Sequence, residues 1–160
     1  MQAHLQLTFA PMWPNVREIR QRVGVALEEC PAQLRSAAIM TASELVENAI
    51  KYGESVPAAK TVTFVLEATT ESLLIRVVNG STNAVGVAEL ERRVQELRSA
   101  EDKQALYLAR LEQLLANAEE SGKLGIYRIG FEGGFDLELE YKNDVVTVTA
   151  TRKAKANANA

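Results

Sequence analysis

Apolar and polar residues alternate near both ends of the chain and recur at helical spacing between them. Residues 5–9 (Leu-Gln-Leu-Thr-Phe) alternate, the pattern of a short half-buried strand. Pro11 and Pro14 interrupt it. Asn15, with Glu18 three residues on, forms a capping-box signal. Val16, Ile19, Val23, Ala26 and Leu27 then give a helix over 16–29 one apolar face, and Pro31 closes it or opens the next element. A second helix is expected over 33–51. Leu34, Ala38, Leu45 and Ala49 form one stripe on it, and Ile39, Val46 and Ile50 an adjacent one. So broad an apolar arc implies packing on more than one side. Gly53 is expected to end this helix in the left-handed conformation that glycine tolerates.

Residues 61–67 and 73–78 are rich in β-branched and other apolar side chains, and the short 69–72 connection predicts an antiparallel hairpin. The Gly, Ser, Thr and Asn residues of 79–86 predict a loop. From 87 to 120 the pattern is helical again, with Leu90, Val94 and Leu97 on one face and a second helix start at Ser99 and Asp102. Leu108, Leu111, Leu115 and Ala118 continue at heptad-like spacing, read as core or hairpin packing ahead of an exposed partner groove. The segment is expected to be an ordered helical hairpin outside the sheet core, offering a surface to a partner or a second copy of the chain. A short helix at 125–130 and a hairpin of 135–141 with 145–151 around Asn143-Asp144 complete the pattern. Residues 1–152 read as a single domain. The low-complexity tail, 153–160, reads as disordered.

The chain has 160 residues, long enough for one domain with its own core. Its 21 acids against 18 bases give a net charge of −3, against a mainly electrostatic nucleic-acid binder. The single cysteine, Cys30, excludes an intrachain disulfide and reads as an inert, partly buried thiol. The single histidine, His4, excludes any site built on two. No apolar run reaches the length of a membrane span and no leader pattern opens the chain, so the expected location is cytoplasmic.

The segment richest in chemistry is Glu44-Leu-Val-Glu-Asn48-Ala-Ile-Lys51-Tyr-Gly53. Glu44, Asn48 and Lys51 stand at i, i+4 and i+7, within about 60° of one another on the helix. A carboxylate can accept a proton from an attacking hydroxyl, a carboxamide oxygen can ligate Mg²⁺, and an ammonium can neutralise phosphate. Three such residues alone also suit a solvated helix edge.

The string resembles the N-box of the GHKL ATPase superfamily, the Bergerat fold of histidine kinases, gyrase and the anti-sigma factor kinases. Its form is Glu-x-x-x-Asn-Ala-x-x-His/Tyr-Gly, matched in register by Glu44, Asn48, Ala49 and Gly53. Arg76-Val-Val-Asn79-Gly-Ser81-Thr-Asn83 stands where the family has its adenine loop, Asp-x-Gly-x-Gly. Lys123-Leu-Gly125-Ile-Tyr-Arg-Ile129 stands where it has Gly-Leu-Gly-Leu-x-x-Ile. The resemblance spans about residues 5–152 and follows the small anti-sigma branch in element order. It implies an α/β two-layer sandwich, helices on one face of a mixed, mostly antiparallel sheet, with 87–120 at the lid position. It also implies a Mg-ATP site. Glu44 would be the catalytic base and Asn48 the Mg²⁺ ligand. Lys51, Lys123 and Gly125 would touch phosphate, and Asn79 and Gly80 the base.

The departures are Asn79, Ser81 and Asn83 in the adenine loop and Lys123 in the second box. They point to weak or lost nucleotide binding. The reading they favour is a signalling regulator of the anti-sigma or partner-switch type that works by binding protein. The partner implied is a sigma factor or small antagonist, with a homodimer possible and neither nucleic acid nor membrane involved. The intact N-box keeps open an active ATP-dependent serine kinase.

Overall fold

A computed structural model describes residues 2–117 and 124–154. Five strands, β1 (Ala3–Phe9), β2 (Val62–Ala68), β3 (Ser72–Gly80), β4 (Asp136–Lys142) and β5 (Val145–Lys153), form one sheet in the order β1-β2-β3-β5-β4. Every pairing is antiparallel, so the sheet has no parallel component. The helices are α1 (Pro14–Ala26), α2 (Ala32–Tyr52), α3 (Ala84–Ser99), α4 (Lys103–Ala116) and α5 (Gly125–Phe131). The chain leaves β3, runs through α3, α4 and α5 to the far edge, and returns as β5 beside β3.

Strand alternation explains the layers. In β2 and β3, Phe64, Leu66, Leu73, Ile75 and Val77 are buried, while Val65, Leu74 and Arg76 point to the half-exposed opposite face. Ile19 and Val23 of α1 and Ala38, Ala42, Leu45 and Val46 of α2 cover the buried face. The β4–β5 hairpin turns at Asn143 and Asp144, whose φ values of 52° and 61° are those of a type I′ turn.

Several sequence expectations shift in register. Helix α1 starts at Pro14, and Asn15 does not cap it: its amide donates to Ala10 O at 2.7 Å. Gly53 is extended (φ −87°, ψ 158°), not left-handed. Glycine is needed there because a Cβ would overlap the Ala49 carbonyl oxygen and lie 2.8 Å from Asn79 Nδ2. Asp102 alone caps α4, accepting from Ala105 N at 3.0 Å, and Ser99 is the last residue of α3. Strand β5 extends through Lys153, and residues 155–160 of the expected tail lie outside the described residues.

The largest correction concerns α3. Val87, Leu90, Val94 and Leu97 are 4% exposed or less and belong to the main core, so the segment does not lie outside it. Helix α4 behaves differently, with no fully buried residue. Leu108 and Leu115 are 47% and 81% exposed while Leu111 is half-buried, so the stripe does not pack as one face, and Ala118 lies outside the described residues. The inward face of α4 is set by Leu106, Tyr107, Arg110, Leu111 and Leu114, all half-buried.

Candidate functional site

Helix α2 carries Glu44, Asn48 and Lys51, but they enter three different environments. Glu44 is half-buried, with Oε1 3.2 Å from Arg128 Nη1 of α5. Its other oxygen lies against Gly125, where a Cβ would overlap Glu44 Oε2. Burial, reinforced by the Glu47 carboxylate, raises the Glu44 pKa above the ordinary 4.5 against the opposing pull of Arg128. Asn48 is half-buried and lines a cavity between α2, the sheet, α3 and α5, as does Asn79 of β3. Lys51 is exposed, its Nζ 5.2 Å from the centroid of the Tyr52 ring, and does not line that cavity.

The turn after β3 is closed by its own hydrogen bonds. Asn79 is buried, and its Nδ2 donates to Gly80 O at 3.1 Å. Ser81 is fully buried: its Oγ donates to Tyr52 O at 2.8 Å, and its carbonyl accepts from the Tyr141 hydroxyl at 2.8 Å. Asn83 caps α3 by accepting from Gly86 N at 3.0 Å. Glu54 accepts from Thr82 N at 2.6 Å and from Thr82 Oγ1 at 2.5 Å, and these bonds lower its pKa. Each departure from the adenine-loop pattern therefore has a local structural role. Gly80 is no substitute opening: a Cβ there would overlap Val56 Cγ2 and lie 2.6 Å from Glu54 O and 2.8 Å from Ala59 O.

The space beneath Asn48 and Asn79 is filled. Val87 and Leu90 of α3 and Ile126 of α5 line it, leaving a cavity of about 10 Å³. That is room for about one water, against hundreds of Å³ for a bound small molecule. Among the described residues no carboxylate lines it beside Asn48 to share a Mg²⁺ ion. Among the described residues no group of three or more His, Cys, Asp or Glu gathers to hold a metal. The residues therefore do not fit Mg-ATP in this arrangement. Lys123, the other expected phosphate contact, lies outside the described residues.

Two features escape sequence reasoning. Arg128 engages Glu44 across 84 positions, and no local periodicity links them. Arg93, Glu96, Arg110 and Tyr127 form a second cluster joining α3, α4 and α5. Glu96 pairs with Arg110 and accepts from the Tyr127 hydroxyl at 3.2 Å. The Arg110 guanidinium lies 5.5 Å from the Tyr127 ring centroid. On α3 alone, Arg93 and Glu96 look like solvated charges; their burial follows only from where α4 and α5 dock.

No family model matches the sequence, and no curated protein matches it. Among solved structures, the chain is similar to the crystal structure of the RsbU and RsbW domains of a Mycobacterium tuberculosis protein. The match has a TM-score of 0.55 at 14% identity and covers 94% of this chain. It covers 32% of that chain, so this protein spans about a third of its length. The resemblance read from the N-box and the order of elements holds at the level of the fold.

Proposed function

We propose that this chain is a signalling regulator of the anti-sigma or partner-switch type that acts by binding protein, its ancestral nucleotide site closed by its own third helix. The observation that carries this reading is that Val87 and Leu90 line the same cavity as Asn48 and Asn79 and leave room for about one water. The Glu44–Arg128 pair supports it, because Oε1 is engaged by Arg128 Nη1 at 3.2 Å and so is not free to face a substrate hydroxyl. The partner implied by the fold is a sigma factor or a small antagonist protein. Among the described residues, no helix is long and apolar enough to cross a membrane.

The second reading, an ATP-dependent serine kinase, rests on Glu44 and Asn48 standing one turn apart on α2. It requires Arg128 to release Glu44 and α3 to leave the core. Calorimetric titration with Mg·ATP and Mg·ADP separates the two readings. The regulator gives no saturable binding. A dissociation constant near 1 μM, about −8 kcal/mol, that is lost in Asn48→Ala overturns it in favour of the kinase.

A further inference from the structure

Among the described residues, three buried side-chain polar atoms make no hydrogen bond: Thr41 Oγ1, Arg93 Nη2 and Arg110 Nε. Two of these are guanidinium nitrogens, and both arginines line one cavity of about 90 Å³ between α3, α4 and α5. Arg93 is only 4% exposed. Its Nη2 stands 3.2 Å from Glu89 Oε1 but outside hydrogen-bond geometry. Arg93 thus brings a nearly fully buried guanidinium, paired with the Glu89 carboxylate, to the wall of this cavity.

The lining sets the charge of a fitting ligand. Arg92, Arg93 and Arg110 bring three positive charges to the cavity and Glu89 one negative. Glu96, which pairs with Arg110 from outside the lining, still leaves the group net positive among the described residues. That is a local reversal in a chain whose net charge is −3. The Gln113 amide completes the polar wall, its oxygen already accepting from Arg110 Nη1 at 2.6 Å. The cavity of about 90 Å³, against about 10 Å³ at Asn48 and Asn79, has room for several waters and so admits a tetrahedral oxyanion. Guanidinium forks suit phosphate oxygens.

We infer that this cavity binds inorganic phosphate or the phosphoryl group of a small phosphate monoester, held by Arg93 and Arg110 with Arg92 at its edge. The bound group would tie α4, which has no fully buried residue of its own, to α3 and α5. This site is separate from the closed cavity at Asn48 and Asn79, and the two share no lining residue among the described residues.

The test is titration of the full chain with sodium phosphate at constant ionic strength in chloride, followed by calorimetry and by the arginine Nε–H resonances. The expected result is one site with a dissociation constant of about 1 mM or tighter. The Arg110 Nε–H resonance should shift to saturation, and α4 should gain protection from hydrogen exchange. Arg110→Gln should weaken binding about tenfold, the effect of losing one charge-assisted contact. Arg92→Gln, a surface change that leaves the buried pair intact, should weaken it a few-fold. A parallel titration with phosphoserine distinguishes the sources: tighter binding than phosphate assigns a monoester, and equal or weaker binding assigns the free ion. A linear, unsaturable response overturns the site. So does binding unaltered in both arginine variants once circular dichroism has shown them folded. Any heat from Mg·ATP that phosphate displaces belongs to this cavity. Heat that survives phosphate but not Asn48→Ala would instead overturn the closed-site reading.

Discussion

Gly125 and Gly80 both fall in stretches that resemble nucleotide-binding motifs, and in both the space a Cβ would take is filled by the protein itself. At Gly125 the neighbour is the end of the Glu44 side chain, which can swing away. Gly125→Ala should therefore change stability by less than about 1 kcal/mol, the gain in helix propensity offsetting a weakened Glu44–Arg128 pair. At Gly80 two of the neighbours are backbone oxygens, which cannot move alone. Gly80→Ala should cost about 1–3 kcal/mol in a urea titration, as overpacking does. The opposite order would mean that Gly125 is the rigid position. Glu44 makes a second test. Its folded pKa is raised, so between the ordinary 4.5 and that higher value the folded state holds more protons than the unfolded state. Stability then falls as pH rises through this window. Glu44→Gln should remove that fall and leave a flatter stability curve above pH 4.5. A steeper fall in the variant would refute burial as the dominant influence. The sequence made Glu44 and Asn48 visible as a motif. It hid what each side chain meets, because Arg128 and Leu90 arrive from distant elements.

Periodicity serves better for elements than for their docking. The strands, the α2 helix and the Asn143-Asp144 turn follow from alternation, helical spacing and turn chemistry, which are local. The 90/94/97 stripe marked α3 as amphipathic but could not say whether its face met α4 or the sheet. On α4 the apparent 108/111/115 stripe misled, because Lys103, Tyr107 and Arg110 pack inward through polar contacts that apolar spacing ignores. Lys103 Nζ pairs with Asp136 Oδ1 at 2.9 Å, and the Tyr107 ring lies 5.3 Å from that of Phe131. The two helices should therefore answer truncation differently. Leu97→Ala, at 1% exposure, should cost about 2–5 kcal/mol. Leu115→Ala, at 81% exposure, should stay within about 0.5 kcal/mol. Equal costs, measured by urea denaturation, would contradict this division.

At the scale of the molecule, one contiguous core takes buried side chains from α1, α2, α3 and α5 and from β2 through β5. Helix α4 only rests on it, through the partly buried Leu106. The segment expected at the lid position is thus split: α3 is integral to the fold, and α4 is an outer attachment. This bears directly on whether the cavity at Asn48 and Asn79 can open to a nucleotide. If α3 leaves only when the whole chain unfolds, opening costs the global stability, typically about 5–15 kcal/mol. Even about 4 kcal/mol would reduce an intrinsic nucleotide affinity roughly a thousandfold, from micromolar to millimolar. Native-state hydrogen exchange measures this cost directly. The amides of α3 should exchange with the same free energy as those of β3, while α4 opens at lower cost in a separate step. Should α3 and α4 instead open together at about 1–2 kcal/mol, 84–116 would be a detachable lid. The closed cavity would then be one state of a working nucleotide site, and the protein-binding reading would yield to the kinase.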